Sequence, residues 1–197
     1  MLFKLLNISY KINMEKYNRL YKGHSLIKNL NDYTVLDIET TSLDSFTGEI
    51  VEISAIKVRD KKEVDTFSEL IKTHNRLGAF TTRLTGITNE MVQKEGKDLI
   101  NVLQQFKDFL DRDIIVGHNV NFDINFIYDS MYKNMNEYLT NDFVDTLRIS
   151  RKVLPNLRHH KLDNLIGYFN LVKRDGHRAL NDCVLTNQVY INLTKML

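Results

Sequence analysis

The chain has 197 residues, a formal net charge of +2 and 43% hydrophobic residues, with 10 Phe and 9 Tyr. This length allows one domain with a real core, and the charge total is too small to argue for a nucleic-acid partner by itself. The one cysteine, Cys183, excludes an internal disulfide and a thiolate metal site and fits a reducing, cytoplasmic setting. No apolar run approaches the roughly 20 residues that span a bilayer.

Residues 1–31 read as an N-terminal extension, helical over Met14–Leu30. Its mildly hydrophobic start lacks a charged leader and a small-residue cleavage site, which argues against a signal peptide. From Asp32 the pattern tightens into one domain, residues 32–197. Tyr33–Glu39 reads as a buried strand, Ser42–Gly48 as a turn, and Ile50–Arg59 and Glu63–Lys72 as two further strands of a meander. Asn75–Thr85 reads as a loop, and Thr88 as the cap of a short helix through Val92. Asp98–Leu110 is amphipathic, with Leu99, Val102, Leu103, Phe106 and Leu110 at helical spacing. Asp113–Gly117 is a short strand, followed by a helix from Asn121 or Phe122 to about Lys133. Phe143–Asp145 reads as a strand and Thr146–Val153 as a helix that Pro155 stops. Lys161–Phe169 and Arg178–Leu197 read as the last two helices. The expectation is an α/β domain with a mixed sheet flanked by helices.

Asp37 and Glu39 lie two apart in the apolar run Val35-Leu36-Asp37-Ile38-Glu39. On a strand they share one face. Two carboxylates side by side in a buried sheet repel and lose solvation, a penalty that a bound divalent cation reverses. Asp123 follows a strand-to-helix turn; singly it reads as a first-turn acid favoured by the helix dipole, or as a ligand at the carboxyl end of a strand. Asp182 sits among Ala179, Leu180, Cys183 and Val184, so it borders a core and needs a partner. His177 follows Gly176; it reads as a surface histidine or as a base beside water. His159-His160 point apart on any helix and are not expected to bind metal; Cys183 reads as a small core residue. Arg148–Arg178 carries eight Lys or Arg against two acids, a local excess that suits a polyanion or marks a solvated helix face. Four acids and one histidine in this order suggest a metal-dependent phosphodiester-cleaving site.

Together these segments resemble the DnaQ-like 3′–5′ exonucleases of the DEDDh class. The resemblance covers residues 32–197 and rests on Asp37-Ile38-Glu39-Thr40-Thr41, His118-Asn119-Val120-Asn121-Phe122-Asp123 and His177-Arg178-Ala179-Leu180-Asn181-Asp182. Leu84-Thr85-Gly86-Ile87-Thr88 and Val144-Asp145-Thr146-Leu147 are similar to two linking segments of that family. The sequence looks most similar to proofreading subunits of bacterial replicative polymerases and to the exonuclease domain of PolC-type polymerases. Ser42 departs from the family's Gly after the Thr-Thr pair, which would cost roughly 1 kcal/mol if that position required a positive φ.

The resemblance implies a ribonuclease H-like mixed five-stranded sheet and a metal-dependent hydrolysis releasing nucleoside 5′-monophosphates from 3′ ends. It implies two Mg²⁺ or Mn²⁺ ions per site, in keeping with hard carboxylate oxygens. Asp37, Glu39 and Asp182 are expected to hold the first ion, Asp37 to reach the second, and Asp123 to act through water. His177 is the expected general base. Thr40, Thr41, Leu43, His118, Asn119 and Phe122 are expected to contact the terminal nucleotide. Single-stranded DNA 3′ ends, in proofreading or repair, are the expected substrate, with a DNA polymerase subunit as a possible partner. Two other readings stand beside this one: an exoribonuclease trimming RNA ends, and a non-catalytic module docked on a polymerase.

Overall fold

The computed structural model describes residues 19–172 and 178–197. Its strands are β1 (Ser25–Leu26), β2 (Tyr33–Thr40), β3 (Ile50–Arg59), β4 (Lys62–Leu70), β5 (Ile115–Gly117) and β6 (Phe143–Asp145). Its helices are α1 (Ala79–Thr85), α2 (Asn89–Glu95), α3 (Leu99–Leu110), α4 (Asn121–Met135), α5 (Thr146–Val153), α6 (Leu162–Tyr168) and α7 (Ala179–Thr194). The six strands form one mixed sheet in the order β1-β6-β5-β2-β3-β4, antiparallel across β2-β3-β4 and parallel across the rest.

Alternation along β2 explains the layers. Leu36 and Ile38 point to one face and pack with Val102, Leu103 and Phe106 of α3 and with Ile124, Phe126 and Ile127 of α4. Tyr33 and Val35 point to the other face and pack with Ile149 of α5, Leu165 and Ile166 of α6, and Val189, Tyr190 and Leu193 of α7. Both faces are therefore covered over β2 and β3, as their near-continuous apolar runs require, while β4 at the edge is largely exposed. Asp37 and Glu39 share the parity of Val35 and so face the α7 layer.

The sheet has six strands, where five were expected. The extra strand, β1, is a two-residue parallel pairing of Ser25 with Phe143 and Leu26 with Val144, too short for any periodicity to mark it. The helix expected over Met14–Leu30 is likewise absent from its described part, which is extended or turned from Arg19 onward. This stretch packs on the domain. The Tyr190 hydroxyl donates to the Lys28 carbonyl at 2.8 Å and accepts from the Leu30 N–H at 2.9 Å. The Arg19 guanidinium donates to both carboxylate oxygens of Asp129 at 2.9 and 2.6 Å. The expected loop Asn75–Thr85 contains α1, a single short helix ended by Gly86 in the left-handed region (φ 73°). Thr88 caps α2 by accepting from the Met91 N–H, and Asp98 caps α3 through Asn101.

Candidate active site

The acidic centre is assembled from one strand and two helix starts. Side-chain oxygens of Asp37, Glu39 and Asp182 all lie within 4.8 Å of one another. Asp37 and Glu39 come from β2, and Asp182 from the first turn of α7, where an acid also suits the helix N-terminus. Asp123 stands in the first turn of α4, 5% exposed, and its Oδ1 accepts from the backbone N–H of Ile38 at 3.1 Å. Three of the expected ligands thus share one small volume, and the fourth is bonded to the residue between two of them. His177 lies outside the described residues.

The crowding is electrostatically unfavourable without a cation. Burial first, then the carboxylates of Asp123, Glu39, Asp182 and Glu52, hold the Asp37 carboxyl well above its ordinary range. Burial, then Asp182 and Glu52, push Glu39 up to about 8, with Arg178 pulling the other way. Burial also raises Asp123, although the hydrogen bonds from its own backbone N–H and that of Ile38 oppose it. Clustered carboxylates with raised proton affinity and hard oxygen donors fit a divalent cation such as Mg²⁺ or Mn²⁺.

The expected nucleotide-contacting residues fall in two groups, one following β2 and one following β5. In the turn after β2, the Thr40 hydroxyl donates to the Ser42 carbonyl at 2.7 Å, and the Thr41 hydroxyl accepts from the Glu49 N–H at 2.9 Å. Both hydroxyls therefore shape the turn. Leu43, 89% exposed, projects from it. Ser42 is not among the described residues with positive φ, so the turn carries no strain from the missing glycine. The second group follows β5. A Cβ at Gly117 would collide with the Val120 side chain and the Leu36 carbonyl, so the chain needs glycine there before it turns. The His118 ring bonds the Thr146 hydroxyl at 2.9 Å, and Asn119, at φ 58°, donates its N–H to Asp145. Burial pushes the His118 imidazole down to about 4, against a hydrogen bond to the His160 backbone and with help from nearby Arg151. Phe122 is half-buried, its ring 4.9 Å from that of Phe126.

A fifth acid, Glu52, belongs to the same neighbourhood and escaped the sequence reading. It lies directly across from Glu39 in the β2–β3 register and is 1% exposed. Its signal was present: an acid inside the apolar run Ile50-Val51-Glu52-Ile53, the same anomaly that marked Asp37. Arg178 holds it, through Nη2 at 2.6 Å and Nε at 3.1 and 3.2 Å. Arg178 is thereby removed from the basic segment offered to a polyanion, whereas Arg151, Lys152, Arg158 and Lys161 are exposed.

A cluster of carboxylates on a mixed sheet packed by helices on both faces fits the class of ribonuclease H-like, carboxylate-centred nucleases. Comparison with known proteins makes the assignment specific: residues 34–190 match the RNase_T exonuclease family, and the chain belongs to that family. It is similar to the PolC-type DNA polymerase III of Latilactobacillus sakei, 36% identical over 185 residues covering 90% of the chain. The chain spans 13% of that polymerase's length. Among solved structures it resembles exonuclease X in complex with 5′-overhanging duplex DNA, with TM-score 0.67, 23% identity, and 83% of this chain and 91% of that one covered. It also resembles the nuclease domain of 3′hExo, a DEDDh family member bound to rAMP, with TM-score 0.72, 15% identity, and 86% and 94% covered. The expected fold and family are borne out; among the described residues no helix is long and apolar enough to cross a membrane.

Proposed function

We propose that the chain is a 3′–5′ exonuclease that hydrolyses the terminal phosphodiester of single-stranded DNA and releases nucleoside 5′-monophosphates. The observation that carries this reading is the convergence of the Asp37, Glu39 and Asp182 oxygens within 4.8 Å. In it, Asp37, Glu39 and Asp182 hold one divalent cation, Mg²⁺ or Mn²⁺, and Asp37 with Asp123 serves a second. When bound, such ions polarise the phosphoryl oxygen and stabilise the attacking and leaving oxygens.

The chain's own groups do the rest. His177, placed by its motif five residues before Asp182, takes the proton from the attacking water. The turn carrying Thr40, Thr41 and the exposed Leu43 holds the terminal nucleotide from one side. His118, Asn119 and Phe122 approach from the other; the partly buried His118 stays neutral at physiological pH and contributes hydrogen bonding without charge. Exposed Arg151, Lys152, Arg158 and Lys161 attract the phosphates of the strand behind the terminal nucleotide. The similarity to PolC-type polymerases supports a proofreading or repair role beside a polymerase.

The test is incubation of purified protein with 5′-labelled single-stranded DNA or RNA and Mg²⁺, Mn²⁺ or EDTA. A ladder shortening from the 3′ end of DNA, abolished by EDTA, is expected. Shortening from the 5′ end, or cleavage that survives EDTA, overturns the proposal. Faster degradation of matched RNA moves the substrate to RNA ends.

A further inference from the structure

Glu52 and Arg178 form an ion pair that the metal chemistry does not itself require. Glu52 stands on β3 with its side chain 1% exposed, beside Glu39 on the same face of the sheet. A carboxylate buried there without a partner is costly. Arg178 supplies the partner: its Nη2 and Nε donate to the Glu52 carboxylate, and the backbone N–H of Ala179 adds a contact at 3.3 Å. The Glu52 charge is thus matched within the protein by Arg178.

The same pair fixes geometry. Arg178 is the N-cap residue immediately before α7, and its carbonyl accepts from the N–H groups of Asn181 at 2.9 Å and Asp182 at 3.1 Å. A tether on the Arg178 side chain is therefore a tether on the helical turn that presents Asp182. Strand β3 in turn pairs with β2 along its length, Ser54 opposite Asp37 and Glu52 opposite Glu39. The ion pair joins the element carrying one ligand to the strand registered against the other two.

We propose that the Glu52–Arg178 ion pair is a positioning clamp, which holds Asp182 in register with Asp37 and Glu39 and so sets the affinity of the site for a divalent cation. The proposal rests on the nuclease reading. Arg178 touches neither cation nor substrate in it; the guanidinium suits the task because its planar fork spans both carboxylate oxygens, which an ammonium does not.

The experiment is calorimetric titration of Mn²⁺ into the full chain, with Mg²⁺-dependent hydrolysis and thermal unfolding measured on the same samples. Arg178→Ala is expected to weaken Mn²⁺ binding at least tenfold and to raise the Mg²⁺ concentration for half-maximal hydrolysis in parallel, while KM for the strand changes less than threefold. Arg178→Lys, which keeps a cation beside Glu52, is expected to recover part of that affinity. If Arg178→Ala does not fold, Glu52→Gln, which keeps side-chain volume and an acceptor for the Ala179 N–H, is expected to show a severalfold loss. Lower melting temperatures in these variants with Mn²⁺ affinity within twofold of the parent overturn the clamp and leave a merely structural ion pair. A parent chain that neither binds Mn²⁺ nor hydrolyses a strand overturns the nuclease reading itself.

Discussion

The Asp123 carboxylate accepts a hydrogen bond from the backbone of Ile38, the residue that separates Asp37 from Glu39. A helix start is thus stitched to the middle of the acidic strand, and Asp123 both contributes charge to the centre and secures the strand bearing its neighbours. The two roles separate by substitution. Asp123→Asn keeps an oxygen that accepts from Ile38 and is expected to fold normally while losing at least a hundredfold in hydrolysis. Asp123→Ala loses both, leaving the Ile38 N–H buried and unpaired at a cost of about 1–3 kcal/mol. Urea unfolding beside rate measurement distinguishes the pair.

Asp37 meets the repulsion of four other carboxylates. Asp37→Asn is therefore expected to stabilise the metal-free protein, by about 1–2 kcal/mol or roughly 2–8 °C in melting temperature. The same variant is expected to lose Mn²⁺ binding and hydrolysis. A destabilised Asp37→Asn protein that still binds Mn²⁺ would show that the acids do not repel as their spacing requires.

Glu39 titrates near 8 in the folded protein against an ordinary value of 4.5. The folded state therefore holds a proton that the unfolded chain has released. Stability from this group is full below about 4.5 and is lost as pH rises through 8. In EDTA, the melting temperature is expected to fall between pH 6 and pH 8.5. Added Mg²⁺ competes with that proton, so its stabilising effect should be larger at pH 8 than at pH 6. Melting curves at the two pH values, with and without Mg²⁺, check both statements.

His118 acts at the opposite limb. Its folded value near 4 lies below its ordinary 6.5, so the unfolded chain gains the proton first as pH falls. The stability it supports is complete above about 6.5 and disappears as pH drops through 4. Between pH 7 and pH 4.5 the parent is expected to lose on the order of 2 kcal/mol more than His118→Gln. Urea titrations of both proteins at the two pH values measure the difference.

The stretch from Arg19 to Asn31 is part of the folded unit by its contacts. Arg19 and Asp129 are 11% and 13% exposed in their side chains, and the Ser45 hydroxyl joins them through Asp129 at 2.7 Å. Arg19→Ala strands a partly buried carboxylate and is expected to cost about 2–4 kcal/mol. A chain beginning at Asp32 also loses β1 and the Tyr190 hydroxyl contacts, and is expected to unfold at lower urea than Arg19→Ala. Equal midpoints for the parent and the shortened chain would contradict this.

Much of the site was legible because its residues break local rules. Asp37, Glu39 and Asp182 are acids in apolar surroundings, and period-two alternation alone placed the first two on one face. Glu52 breaks the same rule, but its importance depends on the β2–β3 register and on an arginine 126 positions away, neither of which is a local property. The long β2 and β3 and the amphipathic α3 were readable from their periodicity. Strand β1 was not, since two residues hold no period, and α1 was hidden by β-branched Thr81, Thr82 and Thr85 between Gly78 and Gly86. Ser42 looked like a strained replacement only because its backbone angle was not visible in the sequence.

Ser25 and Leu26 find their partners on a strand 118 positions later. During synthesis the antiparallel meander β2-β3-β4 is made from adjacent segments and can pair early, whereas the outermost strand must wait until Phe143 and Val144 have emerged. The last edge of the sheet to close is therefore contributed by residues made well before their partners, and its closure requires the intervening chain to have brought β6 into place.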